Sequence, residues 1–105
     1  MNLNDLQIQH EKWLAHNFPH QQEHDALLGL IEEVGELAHA HLKAQQGIRG
    51  TLDELQAEAR DAIGDIVIYL ASYCNTNHYN LSGCVREAWE EVQKRDWKAN
   101  PHDGS

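Results

Sequence analysis

The sequence predicts an all-α fold, an antiparallel four-helix bundle that forms one domain over residues 1–105. Apolar residues recur roughly every three to four positions in each of four segments, which is the periodicity of amphipathic helices. No segment combines the alternating pattern and the turn residues that indicate paired strands. The connections between the segments are short, and short connections place successive helices antiparallel.

The first helix is predicted to begin after Asn2 or Asn4 and to run to about Asn17. Either asparagine can accept a hydrogen bond from an exposed amide of the first helical turn. Pro19 follows Phe18, and the helix should end there because proline lacks the amide hydrogen that a helix interior needs.

The second helix is predicted to begin near His24 or Asp25 and to end by Gly47. Its apolar residues fill about half of the helix circumference, which is more than one thin bundle needs. We therefore expect a homodimer or a homotetramer. The residues of this arc are Leu27, Leu30, Ile31, Val34, Leu37, Ala38 and Leu42.

The third helix carries the clearest local signal, because Thr51 and Glu54 have the spacing of a capping box. Apolar residues keep helical spacing from Leu52 to about Asn75. The second half of this segment, AIGDIVIYLASYC, is apolar enough to be buried nearly all round. Taken alone, its IVIY run fits a buried strand, but the helical pattern on both sides favours a helix.

A fourth helix is predicted from a cap at Asn80 to about Lys94 and Arg95. The chain after about residue 99 is expected to be partly disordered. The positions predicted to form the inner stripe of the fourth helix are Leu81, Cys84, Val85, Ala88, Trp89 and Val92.

The composition excludes several classes of partner. The 17 acidic and 8 basic residues give a formal net charge of −9, which disfavours duplex nucleic acid and anionic membranes.

We expect a cytoplasmic protein, because the chain has two cysteines and no secretory leader pattern. No membrane span is expected, because no apolar run approaches roughly 18 residues.

Three glutamates, Glu32, Glu33 and Glu36, interrupt the apolar pattern of the second helix. At about 100° per residue, Glu33 and Glu36 project side by side, with Gly29 between them. Glycine costs a helix about 1 kcal/mol relative to alanine, so a close approach to the backbone is expected there. Solvated glutamates at the border of a core stripe are the alternative for a lone helix.

The third helix carries acidic residues as well, because Glu58, Asp61 and Asp65 lie within about 60° of one another. Carboxylates about 5 Å apart repel by about 3 kcal/mol at an effective dielectric constant of roughly 20. If the two stripes face each other, the cluster needs cations or protons. Oxygen ligands without a nearby cysteine favour Mg²⁺ or Mn²⁺ over zinc, and they suit phosphoryl or pyrophosphoryl chemistry.

The segments EEVGEL, at 32–37, and DAIGDI, at 61–66, resemble the two signature segments of the MazG-like, all-α nucleoside triphosphate pyrophosphohydrolases. The resemblance covers roughly residues 27–97 and implies the helical-bundle fold of that family. It also implies a Mg²⁺-dependent enzyme that converts an NTP or dNTP to the monophosphate and pyrophosphate.

The second segment departs from the family at Ala62, where the family's ExxD pattern has its glutamate. Asp61 is predicted to replace this ligand, and Glu58 is the alternative. The predicted metal ligands are Glu33, Glu36, Asp61, Asp65 and, as a further candidate, Glu58. The implied catalytic residues are Glu32, Glu33 and Glu36, of which Glu32 or Glu36 would orient the attacking water.

Three residues outside the two segments are candidates for substrate binding. The resemblance implies that Trp13 stacks on the nucleobase, although a core position on the first helix explains this residue equally well. It also implies that Lys94 and Arg95 contact the phosphates. The dipole of a helix C-terminus would favour the same two cations.

A second functional class is a catalytically degenerate helical module. Such a module would bind a cation, a nucleotide or a partner protein through its acidic face, and it would have lost turnover with the residue at Ala62. Restoring the family's glutamate at this position distinguishes the two classes.

Overall fold

The computed structural model describes residues 1–22 and 25–105, which form four α-helices and no strand. The all-α class predicted from the sequence is confirmed, and the helix boundaries lie close to the predicted ones. His24, one of two predicted starts of the second helix, lies outside the described residues. The helices are α1 (Leu3–Asn17), α2 (Asp25–Gln46), α3 (Leu52–Thr76) and α4 (Leu81–Val92).

Local hydrogen bonds determine where the helices begin and end. Asn2 caps α1 and Asn80 caps α4, and each side-chain oxygen accepts a hydrogen bond from the backbone amide three residues later. Thr51 and Glu54 form the predicted capping box at the start of α3. At the end of α2, Gly47 has a φ of 68°, a left-handed conformation that glycine adopts without steric cost.

The four helices form an open, elongated bundle. α2 and α3 pack along their length as an antiparallel pair, α1 packs on α3, and α4 contacts α1 and α3. Among the described residues, α2 contacts neither α1 nor α4. The radius of gyration is 17.3 Å, whereas a compact domain of roughly 100 residues has about 13 Å. One chain therefore leaves much of its helical surface uncovered.

The buried side chains are few and mostly small. Leu55 is the largest fully buried side chain. Small side chains allow the backbones of packed helices to approach closely. The buried hydrophobic residues are Ala26, Ala40, Leu55, Ala62, Ala71, Cys74 and Leu81.

Two predictions about burial are wrong for the single chain. The second half of α3 is not buried all round, because Ile63 is 52% exposed and Ile68 is 37% exposed. On the predicted inner stripe of α4, Leu81 is buried but Trp89 is 59% exposed. The reason is the open arrangement: among the described residues, α4 contacts only α1 and α3, and the later turns of α4 and one side of α3 stay exposed.

The chain after α4 folds back on itself. The backbone amide of Asp96 donates a hydrogen bond to the carbonyl of Gly104 at 2.6 Å, and the backbone of Gly104 lies against the indole of Trp97. These contacts do not test the partial disorder expected after about residue 99, which stays a prediction. Within the described residues, no helix has both the length and the apolar character needed to cross a membrane.

A buried glutamine joins three parts of the fold. The Gln7 side chain donates to Asn75 Oδ1 and to the carbonyl of Tyr79, both at 2.9 Å, and accepts from the amide of Leu81 at 2.8 Å. The Asn75 amide in turn donates to the Gln7 carbonyl at 2.9 Å. α1 is thereby fixed to the end of α3 and to the start of α4.

We expect Gln7→Ala to lower the free energy of unfolding by about 2–3 kcal/mol, because it leaves buried polar partners without hydrogen bonds. Chemical denaturation at a fixed protein concentration measures the change. Gln9→Ala, at an exposed position of the same helix, is the control and should change stability by less than about 0.5 kcal/mol. Equal stabilities of the two variants would contradict this assignment.

Candidate metal centre

The carboxylates predicted from the sequence lie along the contact between α2 and α3, and three of them form a close group on α2. One oxygen each of Glu32, Glu33 and Glu36 lies within 4.8 Å of the others. On the facing helix, the charge of Asp65 is close enough to Glu33 to contribute to a raised pKa of Glu33. Asp65 of α3 therefore lies near the three glutamates of α2. We call these four residues the carboxylate cluster.

A cavity of about 390 Å³ opens beside the carboxylate cluster, and both helices contribute carboxylates to its wall. Glu58 and Asp61, the two candidates for the replacement ligand, both line it. The cavity is therefore acidic on both sides. Its lining residues are Glu32, Gly35, Glu36, His39, Glu58 and Asp61.

Position 62, where the sequence departs from the pattern of the family that it resembles, is buried in the structure. Ala62 is only 2% exposed and packs inside the bundle, where it offers no ligand atom. Asp61, the preceding residue, is exposed and lines the cavity. This position is suitable for a replacement ligand, and the ligand role of Asp61 stays a prediction.

Glu33 is the most perturbed member of the carboxylate cluster. Its Oε2 atom is buried and has no hydrogen-bond partner. Burial raises the pKa of Glu33, and the neighbouring Glu36 and the charges of Asp65 and Glu32 raise it further. A buried carboxylate oxygen without a donor is unfavourable. A proton or a cation at this position would relieve the cost.

The close approach expected at Gly29 is confirmed, and the approaching group is the ring of Tyr69. Burial and then the charges of the carboxylate cluster raise the pKa of the Tyr69 phenol. Tyr69 was not predicted as a site residue, although its position four residues after Asp65 places it on the same helical face. His39 was not predicted as one either; it lines the cavity and follows Glu36 with Glu-x-x-His spacing.

The three predicted substrate-binding residues lie elsewhere in the described part of the chain. None of them lines the cavity or acts electrostatically on Glu33. Trp13 is 52% exposed, so the alternative of a core position within one chain is wrong. Its ring lies beside that of Phe18, with the centroids 5.8 Å apart. Lys94 and Arg95 follow α4, which does not contact α2.

Comparison with known proteins gives no relative for this chain: no protein-family model, no curated protein and no solved structure matches it. What the fold and the site define is an all-helical protein with carboxylates from two antiparallel helices around one acidic cavity.

We expect Glu33→Gln to raise the thermal unfolding midpoint of the metal-free protein at neutral pH. The raised pKa of Glu33 means that the folded protein binds this proton more tightly than the unfolded chain does. Stability therefore falls as the pH rises from the unfolded-state pKa through the folded-state pKa. Glutamine is uncharged and nearly isosteric, so it removes this effect.

Differential scanning calorimetry in EDTA at about pH 5 and about pH 8 measures the change, which should be larger at the higher pH. Glu87→Gln, at an exposed position of α4, is the control and should shift the midpoint little at either pH. A Glu33→Gln midpoint equal to that of the natural protein at both pH values would contradict the electrostatic account.

Proposed function

We propose that this chain is a Mg²⁺-dependent nucleoside triphosphate pyrophosphohydrolase that converts an NTP or dNTP to the monophosphate and pyrophosphate. The main support is the close group of three α2 glutamates, with Asp65 of α3 nearby and with the buried, unpartnered Oε2 of Glu33 among them. Carboxylate oxygens are the ligands that hard divalent cations prefer. Mg²⁺ is the proposed cofactor, and Mn²⁺ is a suitable substitute.

The residues present fit such a cation. A bound Mg²⁺ would offset the charge of the triphosphate and lower the pKa of a coordinated water. Without a cation, the acidic cavity would repel the same substrate. The proposed ligands are Glu33, Glu36, Asp61 and Asp65, with Glu58 as a further candidate.

The other proposed roles concern the water and the phosphates. Glu32 and Glu36 line the cavity, so either can accept a proton from a water that attacks the α-phosphorus. The bond from this phosphorus to the bridging oxygen breaks, and pyrophosphate leaves. The phosphates also need cationic side chains, the role proposed for Lys94 and Arg95.

We also propose that the chain works as a homodimer or a homotetramer. The outer side of α2 exposes a row of large apolar residues, and Ile31 is 69% exposed. α4 exposes a second row at helical spacing, formed by Val85, Trp89 and Val92. Burial against another copy would remove both rows from water. A neighbouring copy could also bring Trp13 or the cations after α4 to the acidic cavity.

We expect Ile31→Asp to shift the protein to smaller species in sedimentation-velocity runs, because it buries a charge in the proposed interface. Gln9→Asp adds the same charge at an exposed position of α1, outside the two apolar rows, and should leave the association state unchanged. Identical sedimentation of both variants and the natural protein would contradict the proposed use of this surface.

The activity itself is tested by pyrophosphate release from the canonical and several damaged nucleoside triphosphates, with and without Mg²⁺. We expect release from at least one nucleotide, and EDTA should abolish it. Absence of release from every nucleotide tested, in either Mg²⁺ or Mn²⁺, would contradict the proposed enzyme.

The replacement ligand is tested by Asp61→Asn and Glu58→Gln, two variants that remove a negative charge with little change in shape. We expect Asp61→Asn to lower kcat/KM by more than about 100-fold, because even residues behind a metal ligand contribute about 10–100-fold. Glu58→Gln should have the smaller effect. The reverse order would assign the ligand to Glu58.

The burial of Ala62 favours one alternative function, a catalytically degenerate module that binds a cation, a nucleotide or a partner protein. A glutamate in the family pattern would supply a ligand here, and the natural residue supplies none. If the natural protein shows no turnover and Ala62→Glu creates it, the degenerate module is correct. The free energy of unfolding should be measured in parallel, because the substitution places a charge at a buried position.

A further inference from the structure

We propose that Tyr69 is a positioning residue for the carboxylate cluster. Its aromatic ring rests on the bare backbone of Gly29 and sets the separation of α2 and α3 one helical turn from Glu33 and Asp65. This inference rests on the metal site of the proposed function.

A side chain at position 29 would force the ring of Tyr69 to move. A Cβ atom built on Gly29 would lie 2.3 Å from Cε1, 2.4 Å from Cζ and 2.8 Å from Cδ1 of the Tyr69 ring. The ring thus occupies the space that any other residue would need for its side chain. The distance between the two helices at this level is therefore set by one ring packed on one backbone.

Gly29 and Tyr69 each lie one helical turn from a carboxylate of the cluster. One turn along α2 leads from Gly29 to Glu33, and one turn back along α3 leads from Tyr69 to Asp65. Because α2 and α3 are antiparallel, the two pairs occupy adjacent levels of the same interface. A change in ring size or position at the first level alters the separation of the carboxylates at the second.

The carboxylates do not hold the two helices together at this distance, because their like charges repel. Apolar packing holds the helices together on its other side, where Ala40 is 1% exposed and Leu55 is 2% exposed. The ring of Tyr69 provides the contact at the opposite end. The cluster is thus held between two packed levels, and its geometry depends on both helices keeping their distance.

Mn²⁺ binding, followed by electron paramagnetic resonance of the free ion, tests this proposal on the full chain. Tyr69→Phe retains the ring and should bind Mn²⁺ within about twofold of the natural protein. Tyr69→Ala and Gly29→Ala should each weaken Mn²⁺ binding by about tenfold or more, the size expected for residues that orient metal ligands. Leu81→Ala removes a buried side chain at the start of α4, away from the contact between α2 and α3; it is the control for lost stability alone and should leave the affinity within about twofold.

Two outcomes would overturn the inference. If Tyr69→Ala and Gly29→Ala lower the unfolding midpoint but bind Mn²⁺ as the natural protein does, the ring only packs, and the metal site stands without it. If the natural protein binds no Mn²⁺, the metal site and the proposed function fail together with the positioning role. Should circular dichroism show that Gly29→Ala does not fold, Tyr69→Ala decides the question, because it removes the ring without creating a clash.

Discussion

The structure depends on one close contact, the antiparallel packing of α2 against α3. Small residues permit it: Ala26, Gly29 and Ala40 on α2 and Ala62 on α3 leave room for the facing helix. The same contact brings like charges together, because glutamates of α2 and aspartates of α3 meet in the middle of the interface. Packing at both ends of the interface opposes a repulsion at its centre. A divalent cation would turn that repulsion into a stabilising interaction.

The openness of the bundle explains why the chain has so many exposed apolar residues. α1 and α4 are fixed to α3 through the buried hydrogen bonds of Gln7, and within the described ranges neither helix contacts α2. The acidic cavity and the predicted phosphate-binding cations are separated within one chain. Association of two or more copies would cover the exposed apolar rows. It could also bring the predicted cations of one copy to the acidic cavity of another.

The helices and the position of the acidic stripes on them could be predicted from the sequence. The caps at Thr51 and Asn80 are local hydrogen bonds between residues close in the chain, so the sequence shows them directly. The carboxylate stripes could be placed because helical periodicity fixes which residues share a face. Burial could not be predicted in the same way. Trp89 and Ile63 have apolar side chains at helical spacing, but their exposure depends on how far apart the helices lie.

Long-range side-chain contacts were the other features that the sequence could not show. Glutamine is usually exposed, so the sequence does not suggest that Gln7 is buried. Only the folded chain brings Asn75 and Leu81 to its side chain. Tyr69 belongs to an apolar run and gives no sign of its contact with Gly29 until the two helices are paired.

The central claim is that the facing carboxylates of α2 and α3 hold one or more divalent cations, and crystals grown with Mn²⁺ test it most directly. We expect an anomalous difference peak bounded by oxygens of Glu33, Glu36 and Asp65. A structure at saturating Mn²⁺ with no peak between the two helices, or with these side chains turned apart, would contradict it.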